Sequence, residues 1–184
     1  MVAVVVISLV TACADPSSSS IGPAGSGESA APSPTSRDVE DCPVTVPPQP
    51  GFVPPEPYPS EPSTDGAWYG SAELWTIVDS SGAVWTGLPV GKGPHAIGDK
   101  TLWFSEKFST AKGEDFSGNA DITITAVHRG GSGRKVIEEG GVPSFNRYIK
   151  NFMLVGLGVP EPGCWEVTAS YQGAELSYVM LVKD

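Results

Sequence analysis

The chain has 184 residues, 40% of them hydrophobic and 17% charged, with 22 Gly and 18 Pro. That composition suits one β-rich globular domain plus a stretch that does not fold. A net charge of −10 and a pI near 4.5 disfavour nucleic-acid binding, because such a surface repels phosphate backbones. The same charge argues against attachment to anionic lipid by overall electrostatics, so membrane association requires a hydrophobic or lipid anchor.

The N-terminus offers one. Val2 to Val10 is apolar except for Ser8, too short to span a bilayer as a helix but the right size for the apolar region of a signal peptide. It runs into Val10-Thr11-Ala12-Cys13, which resembles the bacterial lipobox: an apolar residue, two small ones, then the Cys that carries the lipid. The resemblance implies residues 1–12 as a cleaved signal and Cys13 as the lipidated first residue of the mature chain. The pattern departs in one respect, since Met1 leads directly into Val2 with no Lys or Arg ahead of the apolar run. Either the α-amino group supplies the positive charge, or the translation start lies further upstream. An ordinary secretory signal with Cys13 incidental is the competing reading. Residues 13–41 are rich in Ser, Pro, Gly and Ala, as in Ser17 to Ser20 and Ala31-Pro32-Ser33-Pro34. Such a segment buries too little apolar surface to offset chain entropy, and it reads as a disordered tether.

Three cysteines are present, Cys13, Cys42 and Cys164. With Cys13 assigned to the lipid, two remain in an exported chain, where disulfides persist. A Cys42–Cys164 disulfide is therefore expected, two free buried thiols being the alternative. Residues 42–65 form a Pro-rich segment, with Pro47-Pro48, Pro50, Pro54-Pro55, Pro57 and Pro59. Proline lacks an N–H and fixes φ, which excludes helix and central strand. Phe52, Val53 and Tyr58 give the segment something to bury, so it is expected to lie as an extended strap over the domain, held by Cys42. A Pro-rich ligand for a partner is the other reading.

Residues 66–184 carry the β pattern: short apolar, β-branched or aromatic runs between turn signals. Trp68–Val78 is expected as the first strand, with Ala83–Thr86 as its short return. Thr101–Phe108, Asp121–Arg129 with its alternating residues, Arg134–Glu138 and Phe152–Leu157 follow. Trp165–Tyr171 and Ala174–Val182 form a last hairpin about Gln172-Gly173. No run holds a helical period beyond two turns. Seven or eight short antiparallel strands predict an all-β, immunoglobulin-like β-sandwich.

Pro162-Gly163-Cys164-Trp165-Glu166-Val167-Thr168 resembles the Pro-Gly-x-aromatic-x-Val-Thr signature that opens a late strand in many bacterial immunoglobulin-like domains. Cys42-Pro43, Tyr69-Gly70-Ser71-Ala72-Glu73-Leu74-Trp75 and Lys100-Thr101-Leu102-Trp103-Phe104 extend the likeness. From Cys42 onward the chain resembles uncharacterised bacterial cell-envelope lipoproteins ending in a Gly-Cys-Trp-Glu-Val-Thr hairpin. These motifs are structural, and the resemblance implies no catalytic residue.

Several patterns with chemical potential have plainer explanations. Ser109-Thr110-Ala111-Lys112 matches the Ser-x-x-Lys of penicillin-recognising enzymes, and Ser117-Gly118-Asn119 echoes their second motif. The first follows a strand rather than lying on a helix, and no Lys-Thr-Gly strand comes after, so the match is read as chance. His95 and His128 are the only histidines, and neither has a partner at triad or zinc spacing. Asp115, Ser117, Asn119 and Asp121 place oxygens at alternate positions, the spacing of the first half of a calcium loop. The downstream bidentate Glu is missing, its place being taken by Ala126, and a solvated turn is the plainer reading. Arg129, Arg134 and Lys135 make a cationic hairpin tip, ordinarily a solvated turn. Of five tryptophans, Trp75, Trp103 and Trp165 are assigned to the core. Trp68, Tyr69 and Trp85 are the candidates for an exposed ligand face. The sequence thus points to a lipid-anchored protein at the extracytoplasmic face of a cell membrane, with no cofactor and no nucleic-acid partner. Its expected role is non-enzymatic binding or scaffolding, toward a cell-wall glycan or an envelope protein. The alternative is a small envelope hydrolase or carbohydrate-active enzyme.

Overall fold

A computed structural model of the chain describes residues 41–63, 65–89, 97–109, 119–130 and 133–183, all within one compact unit. The signal peptide, Cys13 and nearly all of the tether lie outside the described residues. Ten strands are present and no helix among the described residues: β1 (Gly66–Ser71), β2 (Leu74–Asp79), β3 (Val84–Thr86), β4 (Leu88–Pro89), β5 (Ile97–Phe104), β6 (Ala120–His128), β7 (Lys135–Asn146), β8 (Lys150–Val159), β9 (Gly163–Tyr171) and β10 (Ala174–Lys183). They pair in the order β1-β2-β5-β8-β7-β6-β9-β10-β3, with β4 on β5. Every pairing is antiparallel except β3 on β10. The fold is all-β, one curled mixed sheet.

The curl comes from β7. Its first part, up to Gly141, pairs with β6, and its second part, Val142 to Asn146, pairs with β8. Gly140, at φ 82°, and Gly141 stand at the changeover. The two halves of the path then face each other over a shared core. Leu74, Trp103, Met153 and Leu157 come from the β2–β5–β8 half, and Ile122, Ile124, Trp165, Val167 and Met180 from the β6–β9–β10 half.

Four expectations are corrected. The run from Trp68 to Val78 is not one strand but the β1–β2 hairpin, turning at Ala72-Glu73. Gly70 sits opposite Trp75 at φ 134°, where a Cβ would come within 2.4 Å of the Leu74 carbonyl oxygen; only glycine allows this close passage. Ala83–Thr86 is not the return of that strand: β3 crosses over and runs parallel to β10. The strand expected over Thr101–Phe108 starts earlier, at Ile97, and ends at Phe104. The strand expected over Arg134–Glu138 continues to Asn146, through glycines and a proline that read as strand breakers. The last hairpin is present, with Gln172 and Gly173 both at positive φ, as a two-residue type I′ turn requires.

The β2–β5–β8 half is apolar on both faces. Adjacent residues Leu74 and Trp75, Trp103 and Phe104, and Met153 and Phe152 send one side chain to the shared core and the other to the outer face. The outer cluster, built from Trp68, Trp75, Phe104, Ile149 and Phe152, is closed by Tyr58 and Phe52 of the Pro-rich strap. Tyr58 meets Trp75 edge-on at 5.0 Å between ring centroids, and its hydroxyl donates to the Asn151 carbonyl at 3.2 Å. The Trp68 indole N–H donates to the Pro59 carbonyl at 3.0 Å. At its start the strap joins the sheet. The Thr45 N–H donates to the Val179 carbonyl, the Val179 N–H to the Thr45 hydroxyl, and the Ala83 N–H to the Thr45 carbonyl.

Cys42 and Cys164 form the expected disulfide, with their Cα atoms 5.5 Å apart. Gly163 beside it holds φ 137°, and a Cβ there would meet the His128 ring at 2.4 Å. The crosslink closes a loop of 122 residues in sequence, for which chain entropy sets an upper contribution of about 5 kcal/mol. Replacing both cysteines by Ser should lower the free energy of unfolding, read by urea titration, by no more than that bound, with the slope rising as the unfolded chain expands.

Burial pushes the Tyr58 hydroxyl from 10.0 up to about 12. The unfolded chain releases that proton near pH 10, while the folded chain holds it until near pH 12. The contribution of Tyr58 is therefore intact below pH 10 and is lost as pH rises toward 12. Tyr58→Phe should make the alkaline fall in stability shallower, as read by urea unfolding at stepped pH. At neutral pH it should cost about 1 kcal/mol through the lost bond to Asn151.

Candidate functional site

Thr76 marks where β2 and β5 part. Only two pairs, Trp75 with Phe104 and Thr76 with Trp103, join these strands, and the Thr76 hydroxyl donates across the seam to the Leu102 carbonyl at 2.7 Å. Beyond it β2 stays with β1 while β5 stays with β8. The gap is a slot of about 230 Å³ that reaches down to Tyr178 and Met180 of β10. Its walls are Ile77, Val78, Ala83, Val84, Leu102 and Ile149, and Thr76, Thr101, Asp79 and Lys100 supply its polar groups.

Trp85 also lines the slot, half-buried, with its indole N–H donating to the Asp99 carboxylate at 3.1 Å. That bond fixes the ring plane. Asp79 accepts from the Ser81 hydroxyl at 2.6 Å and the Ser81 N–H at 2.8 Å, which together hold its carboxyl below the usual range. Burial raises the Tyr178 hydroxyl, so it stays protonated at any physiological pH. The slot offers an apolar trough, one fixed aromatic edge and an ionised carboxylate. Ligand pockets that enclose a drug-sized molecule run from about 300 Å³ upward, so this slot suits one ring or a short stretch of alkyl chain.

Of the three aromatic residues expected on an exposed face, the structure leaves only Trp85 at the slot. Trp68 is 2% exposed, sealed beneath the strap. The sequence pattern of β1 could not reveal this, because the covering residues lie in a segment with no strand periodicity. Tyr69 is half-buried, and its hydroxyl is spent on the Ser177 carbonyl at 3.1 Å. Trp75, Trp103 and Trp165 are fully buried.

The remaining candidates scatter. Asp115, Ser117, Lys112 and His95 lie outside the described residues, while Asn119 and Asp121 are exposed at the start of β6. Among the described residues no three His, Cys, Asp or Glu side chains converge as a metal site would need. His128 is buried, edge-on to Trp165 at 4.9 Å. Arg134 is engaged by Glu161 at 3.2 Å. The slot residues Ile77, Leu102, Tyr178 and Met180 read in sequence as strand core. Nothing local marks them, because the slot exists only where two strands diverge. No protein family, curated protein or solved structure matches this chain.

A larger side chain at Ala83, which is 8% exposed and lines the slot, should fill it. Ala83→Leu is expected to abolish the uptake of a small fluorescent apolar probe that the unaltered protein binds, while thermal unfolding stays within a few degrees.

Proposed function

We propose that this protein is a lipid-anchored, non-enzymatic binding module at the extracytoplasmic face of a cell membrane, with the β2–β5 slot as its ligand site. The slot carries the reading: a trough with apolar walls and floor beside an indole fixed by Asp99. Its ionisable side chains besides Tyr178 are Asp79 and Lys100, an arrangement that recognises rather than one that assembles a nucleophile with its base.

The anchor rests on Val10-Thr11-Ala12-Cys13 and on the disulfide. With Cys42 and Cys164 joined to each other, Cys13 is the cysteine left for lipid, and a persistent disulfide belongs to an exported chain. The likeness to bacterial cell-envelope lipoproteins agrees.

An immunoglobulin-like sandwich is the finer description of the fold that we favour. Seven strands support it. The set β2-β5-β8 with the second part of β7 follows the order A-B-E-D, and β6-β9-β10 follows C-F-G. A glycan ligand is a second reading, favoured by Trp85: a held, half-buried indole is a surface on which a sugar ring can stack.

Two measurements test the proposal. Expressed in a bacterium, the chain should fractionate with membranes and yield an N-terminal peptide carrying lipid on Cys13, and Cys13→Ala should move it to the soluble fraction. An unmodified Cys13 would overturn the anchor. Titration with short-chain alkyl and aryl ligands, beside a glycan array, should quench tryptophan fluorescence in the unaltered protein and not in Trp85→Leu. Turnover on a hydrolase panel would overturn the non-enzymatic reading.

A further inference from the structure

The end of the β7–β8 hairpin differs in character from the rest of the molecule. From Gly140 to Pro160 the sequence contains no Asp or Glu but has Arg147 and Lys150, in a chain of net charge −10. Both cations fall at the turn, beside Phe145 at 51% and Tyr148 at 55% exposure. The Arg147 guanidinium lies 4.5 Å over the Tyr148 ring and contacts its hydroxyl. The Lys150 ammonium donates to the Arg147 carbonyl at 3.0 Å. Neither cation has a carboxylate partner among the described residues. Lys150 also holds φ 66°, a left-handed conformation that glycine adopts at lower cost.

We propose that this hairpin end docks on the bilayer, seating Phe145 and Tyr148 at headgroup level and Arg147 and Lys150 against the phosphates of an anionic membrane. A tyrosine ring with its polar edge partitions to the membrane interface, an exposed phenylalanine buries apolar area at the headgroup boundary, and cations within a Debye length of an anionic leaflet are drawn to it. A second copy of the chain fits this surface less well. Two cationic tips repel, and Pro143 on the edge of the sheet denies a neighbouring strand one N–H. The docking builds on the proposed anchor, because two rings and two cations bind weakly unless the chain is already held at the surface. The reach is sufficient. Cys42 is fixed by Cys164 near the start of β7, and β7 spans about 40 Å. The 28 residues from Ala14 to Asp41 would span about 85 Å if fully extended.

The test imposes the anchor chemically, so that it does not depend on biological lipidation. The full chain is coupled through the Cys13 thiol to maleimide lipid in vesicles of phosphatidylcholine, with or without phosphatidylglycerol. Amide hydrogen exchange is then read by mass spectrometry. Slowed exchange confined to residues 145–151 on the anionic vesicles supports docking. Each of Arg147→Gln and Lys150→Gln should weaken it by about fivefold. Lys150→Gly should weaken it likewise without lowering the melting temperature, which separates docking from a role in folding. Unchanged exchange in the coupled protein overturns the proposal and leaves the anchor reading standing. Protection that appears without vesicles and grows with protein concentration also overturns it, in favour of a second copy.

Discussion

A sheet that is apolar on both faces must be covered on both, and this constraint organises the molecule. The β2–β5–β8 half carries large side chains in adjacent pairs, so no orientation of these strands leaves one face for water. One face is buried against the β6–β9–β10 half. The other would expose Trp68, Trp75, Phe104 and Phe152 if the Pro-rich strap were absent. At about 25 cal/mol per Å², exposing even one indole costs a large share of a domain's marginal stability. The strap is therefore part of the fold, although its described residues form no strand or helix.

Proline suits this task. A covering segment must leave its backbone groups bonded or solvated, and a chain of prolines has few donors to satisfy. Its ends still need fixing, and three local devices do so. The disulfide holds Cys42, Thr45 joins β10 and the residue before β3, and Tyr58 reaches the Asn151 carbonyl. Thr45 ties the strap to the crossover of β3 onto β10. That crossover leaves the far end of β2 without a neighbour on the β5 side, and the slot opens there. The candidate ligand site is thus a by-product of how the sheet is closed.

The slot and the hairpin tip divide the surface into two chemical regions. One is an apolar trough with an ionised carboxylate and a fixed indole. The other is a small cationic and aromatic point on an otherwise acidic chain. The two regions adjoin, since Ile149 of the β7–β8 turn is one wall of the slot.

Local pattern alone determined the all-β character, the β9–β10 hairpin and the disulfide. Alternation in Trp165–Tyr171, two turn residues able to take positive φ, and the cysteine count are local or arithmetic signals. The sequence also contained the acid-free stretch around Arg147 and Lys150, a matter of composition. Tertiary structure decided the rest. Trp68 lies in an ordinary strand and is hidden only because a segment of different periodicity crosses it. The continuation of β7 past Gly140-Gly141 and Pro143 depends on its change of partner, since a strand that leaves one neighbour for another needs the bend those residues allow. The slot has no local signature at all. Its residues have the side chains of core strands, and what sets them apart is the distance that opens between β2 and β5 beyond Thr76, a property of pairing across the fold.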